Sequence, residues 1–118
     1  MLDEVLGRVM TGVDGARCIV LAARDGVVVA ARARNGAPSP ELIAASMADL
    51  FEKVGSTFDR EGLGAAAEVA VGGVDGHVMM RAVTPDYLLA IALAAGGSLG
   101  RARWELRRAA ADLVAELS

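Results

Sequence analysis

The sequence predicts a mixed α/β domain (α+β), an antiparallel sheet with helices on both faces, in the order α-β-β-α-β-β-β-α. Three stretches carry apolar residues at helical spacing, at the two ends and in the middle of the chain. Five short apolar runs lie between them. Most consecutive runs are separated only by Asp-Gly or Thr-Pro-Asp turns, too short for a crossover to a parallel neighbour. At 118 residues, the chain is read as one domain spanning 1–118 with one core.

The elements follow in order. Leu2, Val5, Leu6, Val9 and Met10 mark one face of a short helix closed by Thr11-Gly12. The runs Cys18–Ala23 and Val27–Ala31 flank Arg24-Asp25-Gly26, where Asp-Gly suits a tight hairpin and the two runs pair as antiparallel strands. Ser39 is placed to cap a long helix, with Pro40 at its first position, Glu41 near the positive end of its dipole and Gly62 past its end. Ile43, Met47, Leu50, Phe51, Val54 and Phe58 form its buried stripe. Strands at Ala67–Val71, His77–Val83 and Tyr87–Ala94 then make a meander through the turns at Asp75-Gly76 and Thr84-Pro85-Asp86. A last helix begins at Ser98 and buries Leu99, Ala102, Leu106, Ala109, Ala110, Leu113 and Leu117, running to the C-terminus.

The runs Cys18–Ala23, Val27–Ala31 and Tyr87–Ala94 are nearly continuous in apolar residues, which predicts central strands covered on both faces. The strand at Ala67–Val71 is more mixed and is predicted to lie at an edge. An open edge offers unpaired backbone groups to another chain, and a symmetric dimer is the simplest way to satisfy it.

Composition excludes more functions than it suggests. The apolar fraction is 54% but aromatic residues make up only 3%, so the core must be built from Ala, Val, Leu, Ile and Met. A net charge of −3 argues against a general attraction to nucleic acid or anionic membrane. No apolar run is long enough to cross a bilayer, and Asp3, Glu4 and Arg8 stand where a signal peptide would be apolar, so the chain reads as cytoplasmic. With one His and one Cys there is no zinc site of His/Cys type and no Ser-His-Asp set beyond what His77 beside a turn could join, and no spacing of the carboxylates recommends an acid/base pair. Cys18 reads as a thiol packed in a strand, and His77 as a strand-start residue. Gly96-Gly97-Ser98-Leu99-Gly100-Arg101 matches no phosphate-binding pattern and reads as a loop and cap. No catalytic, cofactor-binding or metal-ligating residue is assigned.

Two surfaces remain as candidate contacts. The long helix carries Ala44, Ala45, Ala48 and Gly55 beside its core stripe. These are either good helix formers or a strip that another helix approaches closely, with Glu52 keeping part of that surface acidic. The last helix sets Trp104 among Arg101, Arg103, Arg107 and Arg108, either covering the sheet rim or forming an interaction hot spot.

The stretches Val13-Asp14-Gly15-Ala16, Arg24 to Ala30, Pro40 to Ala45, Ser98-Leu99-Gly100 and Glu105 to Arg108, in this order and spacing, resemble the roadblock/dynein light-chain family over nearly the whole chain. The bacterial MglB-like members are closest in character. The resemblance implies a roadblock/profilin-like fold, with a five-stranded antiparallel sheet, the long helix on one face and the terminal helices on the other. It implies a homodimer whose long helices pack about a two-fold axis while middle strands join the two sheets. It further implies a regulator that binds a Ras-like small GTPase and stimulates hydrolysis by rearranging the GTPase's own site, without cofactor or arginine finger. The alternative within the family is a dimeric scaffold in a motility, polarity or signalling assembly with no effect on hydrolysis. A small-ligand sensor is disfavoured by the scarcity of aromatic and convergent polar residues. The expected contact residues, for dimer or GTPase, are Ala44, Ala45, Ala48, Glu52, Gly55, Val69, Val71, Arg103, Trp104 and Arg107, with docking centred near Ala44, Ala48 and Glu52.

Overall fold

In the computed structural model, which describes residues 1–117, the chain runs α1 (Leu2–Gly12), β1 (Ala16–Ala23), β2 (Val28–Ala33), α2 (Pro40–Arg60), β3 (Glu68–Gly72), β4 (Gly76–Thr84), β5 (Tyr87–Ala94) and α3 (Leu99–Leu117). The expected end of the last helix at Ser118 lies outside the described residues. The Ser39 hydroxyl accepts a hydrogen bond from the Leu42 amide at 3.2 Å and so satisfies one free donor of the first turn of α2. Pro40 follows where its missing amide costs nothing. At the β1–β2 hairpin, Gly26 takes φ +91°, a conformation that a side chain would strain, and the Ala23 amide donates to the Val27 carbonyl across the turn.

The five strands are antiparallel throughout in the order β2-β1-β5-β4-β3. Their two faces bury separate clusters. On one, α1 and α3 cover Ile19, Leu21, Met79, Leu89 and Ile91. On the other, α2 covers Val20, Ala22, Met80, Leu88 and Ala90 through Ala44, Met47, Ala48 and Phe51. At roughly 25 cal/mol per Å² of apolar area removed from water, these two layers are the main source of stability.

Two expectations are corrected. The run at Val27–Ala31 was expected in a central strand, yet β2 is an edge and pairs only with β1. The helices α1 and α2 both reach over β2, so Ala30 packs into one core while Val28 and Ala31 pack into the other. A continuous apolar run therefore reports cover on both faces and says nothing about lateral pairing. Second, Gly76, expected in the turn before a strand beginning at His77, is itself the first residue of β4 and has no positive φ. Gly76 is needed there because a Cβ would sit 2.6 Å from the Leu93 carbonyl oxygen of β5. Gly76→Ala is expected to force the strands apart at a cost of about 2 kcal/mol, read as a lowered urea midpoint with unchanged slope. An unchanged midpoint would show that the β4–β5 ladder tolerates the methyl group.

Candidate protein-binding surfaces

No group of three or more His, Cys, Asp or Glu side chains among the described residues is placed to hold a metal ion. No helix among them is long and apolar enough to cross a membrane. Cys18 is fully buried in β1, and burial pushes its thiol above the ordinary value of 9.0, outweighing the backbone hydrogen bond with Ala92 and the nearby charge of Arg17. The folded chain thus favours the neutral thiol. Its stabilising contribution is complete below pH 9 and declines above it, where the unfolded chain ionises first. Stability above pH 9 is expected to fall more steeply for the native sequence than for Cys18→Ala, in denaturant titrations across pH 8–10.5. Equal slopes would remove Cys18 as the cause. His77 follows Gly76 at the start of β4 with its Nδ1 buried and unpaired.

The two flanks of α2 differ in exposure. Ala44 and Ala48 are 3% and 4% exposed and pack on their own sheet, so they are not open to a second helix. Periodicity misplaced them because the larger side chains Ile43, Leu50, Val54 and Phe58 drew the predicted stripe about a quarter-turn away. Ala45 is exposed beside the β1–β2 hairpin, where its Cα lies 3.0 Å from the position a Cβ on Gly26 would take. Gly55 is half-buried, with open space where a Cβ would be, and Glu52 is exposed. This flank lies toward the β1–β2 and β4–β5 turns, from which Gly26, Arg24 and Pro85 approach it.

On the opposite flank Ile43, Leu50, Val54 and Phe58 are only half-buried, at the margin of the same cluster that takes in Val69, Val78 and Ala82. The helix packs over β1, β2 and β5. Beside it, Val69 of β3 with Val78 and Ala82 of β4 are half-buried, and Val71 is 42% exposed. Helix flank and sheet meet in an apolar corner, bounded by the open edge of β3, which pairs only with β4. Val69 and Val71 are thus where the sequence expected a contact. Ile43, Leu50, Val54 and Phe58 were missed as surface residues. The available signal was the width of the apolar arc, since these four together with Ala44 and Ala48 exceed what one sheet face can cover.

Beside the middle of α2, the Arg24 guanidinium lies 4.9 Å from the centre of the Phe51 ring and its Nη2 donates to the Thr84 carbonyl at 3.2 Å. Its Nε is buried without a partner. Arg24 lines a cavity of about 200 Å³ with Pro85 and the expected residues Ala48 and Glu52. Leu42, 72% exposed in the first turn of α2, is a further surface residue that sequence reasoning passed over.

On α3, Trp104 is 56% exposed and points away from the buried stripe, so it does not cover the sheet rim. Arg103 bonds Glu68 of β3 at 2.7 Å, and Glu68 also meets Arg81 at 3.5 Å. Glu105, unremarked in the sequence, is 2% exposed, and its Oε1 takes both Arg101 at 3.1 Å and Arg108 at 3.4 Å. Arg107 is exposed with no ion pair among the described residues. Two of the three expected residues here, Trp104 and Arg107, are therefore accessible, while Arg103 is held by its neighbour.

A family model of the Roadblock/LC7 domain matches residues 1–93. No curated protein matches the sequence. Among solved structures, the Roadblock/LC7 domain from Streptomyces avermitilis superposes with a TM-score of 0.88 at 18% identity, over 98% of this chain and 96% of that one. The gliding protein MglB from Thermus thermophilus gives 0.86 at 21% identity, over 97% and 86%. MglC from Myxococcus xanthus gives 0.71 at 28% identity, over 99% and 100%.

Proposed function

The chain belongs to the Roadblock/LC7 family, and from that premise we propose that it is a homodimeric regulator of a bacterial Ras-like small GTPase. The observation that carries the reading is the apolar corner between α2 and the β3 edge. If β3 pairs antiparallel with the β3 of a second copy, the two-fold axis stands perpendicular to the sheet. The two α2 helices then lie antiparallel on the same face. Their Ile43, Leu50, Val54 and Phe58 flanks meet over Val69 and Val78, so one symmetric contact covers both the backbone edge and the apolar surface.

The GTPase would dock on the outer surface of the paired α2 helices, where Leu42, Ala45, Glu52 and the Arg24 cavity are presented twice. In this reading the surface contributes neither nucleophile nor base to the reaction. Its contribution to hydrolysis is positional, holding the GTPase's own loops in a productive arrangement. The test is single-turnover GTP hydrolysis by Ras-like GTPases of the same genome, with and without this protein, beside a binding measurement in both nucleotide states. An acceleration of at least about tenfold is expected. Association without acceleration would replace the regulator by the scaffold reading, and absence of association in either state would overturn both.

A further inference from the structure

The outward side of α3 lies on the sheet face opposite α2 and takes no part in the contact described above. Four arginines there share two carboxylates, and a fifth stands beside them. Glu68 is shared by Arg81 and Arg103, Glu105 is shared by Arg101 and Arg108, and Arg107 has neither. Around Trp104 the arginines thus outnumber the carboxylates, in a chain whose net charge is −3, and Asp112 further along the helix is paired with Arg8. The arrangement is also ordered in advance. Glu105 is buried beneath Arg101 and Arg108, and both guanidinium groups meet its single Oε1, while Arg101 Nε donates to the Gly12 carbonyl at 3.2 Å; the two arginine side chains remain 51% and 49% exposed. Arginines fixed in this way lose less freedom when a carboxylate arrives.

Trp104 sits among them, with Arg101 and Arg108 one turn before and after it. Along the same outer line Gly100 has open space where a side chain would be, and Ala111 is small, so the indole is not shielded along the helix. A large apolar surface ringed by preordered arginines is complementary to an apolar side chain flanked by carboxylates. Anionic lipid fits less well, because no second large side chain accompanies Trp104 for insertion. Single-stranded nucleic acid would use a succession of stacking rings, and this face has one.

We propose that this face of α3 docks an acidic segment of another protein, which lays an apolar side chain on Trp104 and places carboxylates on Arg107 and Arg108. Trp104 is the only tryptophan, so its emission reports the site directly. The full-length protein is titrated with a synthetic peptide of leucines flanked by glutamates, with the same peptide carrying glutamine for glutamate, with phosphatidylserine vesicles and with oligouridylate. A saturable emission change with the glutamate peptide alone is expected. Affinity should be weakened about tenfold by Arg107→Glu, a residue in no ion pair among those described. A labelled glutamate peptide, followed by anisotropy, should lose binding to Trp104→Ala, whose exposed position leaves the fold unchanged by circular dichroism. Equal binding of the glutamine peptide, an emission change with vesicles or oligouridylate in place of the peptide, or unaltered affinity in Arg107→Glu would each overturn the proposal. None of these outcomes depends on whether a GTPase binds the other face.

Discussion

Replacing Phe51 with alanine is expected to destabilise the folded chain by about 3–5 kcal/mol, a large part of the roughly 5–15 kcal/mol that holds a domain together. Phe51 is 1% exposed and is the largest side chain in the layer between α2 and the sheet. Its neighbours there include Ala22, Ala44, Ala48, Ala66 and Ala90. An alanine methyl cannot extend into a vacated space, so the cavity persists unless the helix itself moves inward. The same substitution removes the ring beneath the Arg24 guanidinium, whose Nε is already buried without a partner. Urea denaturation should show a lowered midpoint with little change in slope. A cost below about 1.5 kcal/mol would mean that the layer recloses and that Phe51 does not fix the position of α2. Phe58→Ala provides the contrast. That ring is only half-buried at the apolar corner, so its loss should weaken association more than it weakens the monomer.

These contrasts show what the sequence could and could not reveal. Local chemistry was legible. Ser39-Pro40, Asp25-Gly26 and the apolar run Tyr87–Ala94 each act within a few residues, and the structure has the helix start, the hairpin and the strand β5 where they indicate. The apolar row on α3 was legible because one face of that helix is buried and the other is not. What needs knowledge of neighbours was lost. The row on α2 mixes side chains buried by this chain's own sheet with side chains left at a corner, and hydrophobic spacing gives both the same period. Small residues were read as a place for another helix to approach, whereas Ala44 and Ala48 are small because α2 lies close to its own sheet. Glu105 and Glu68 went unnoticed as counter-charges because their partners come from one turn away on α3 or from another element altogether.

The reassignment of the α2 flanks makes association the sharpest discriminator. Val54→Asp is expected to raise the dimer dissociation constant on the order of 100-fold or more. Val54 is half-buried at the corner, and in an isolated chain an aspartate there can still reach water, so the monomer should lose only about 1 kcal/mol. Within the proposed dimer the two-fold axis brings in two such carboxylates, both removed from water without a cationic partner, and the penalties add in a single association step. Light scattering over a micromolar dilution series would read the change as a shift from dimer to monomer mass, while circular dichroism stays that of the folded chain. Glu52→Lys on the other flank reverses a charge on an exposed residue beside Arg24 and Pro85 and should leave the mass alone. The reverse pattern, with Val54→Asp dimeric and Glu52→Lys monomeric, would move the contact back to the small-residue side and leave the apolar corner without an occupant. If the expected pattern holds, Val54→Asp also separates assembly from regulation. A folded monomer that no longer accelerates GTP hydrolysis would show that the working surface is composed from two chains, since neither α2 alone nor its sheet has lost a residue that could touch the GTPase.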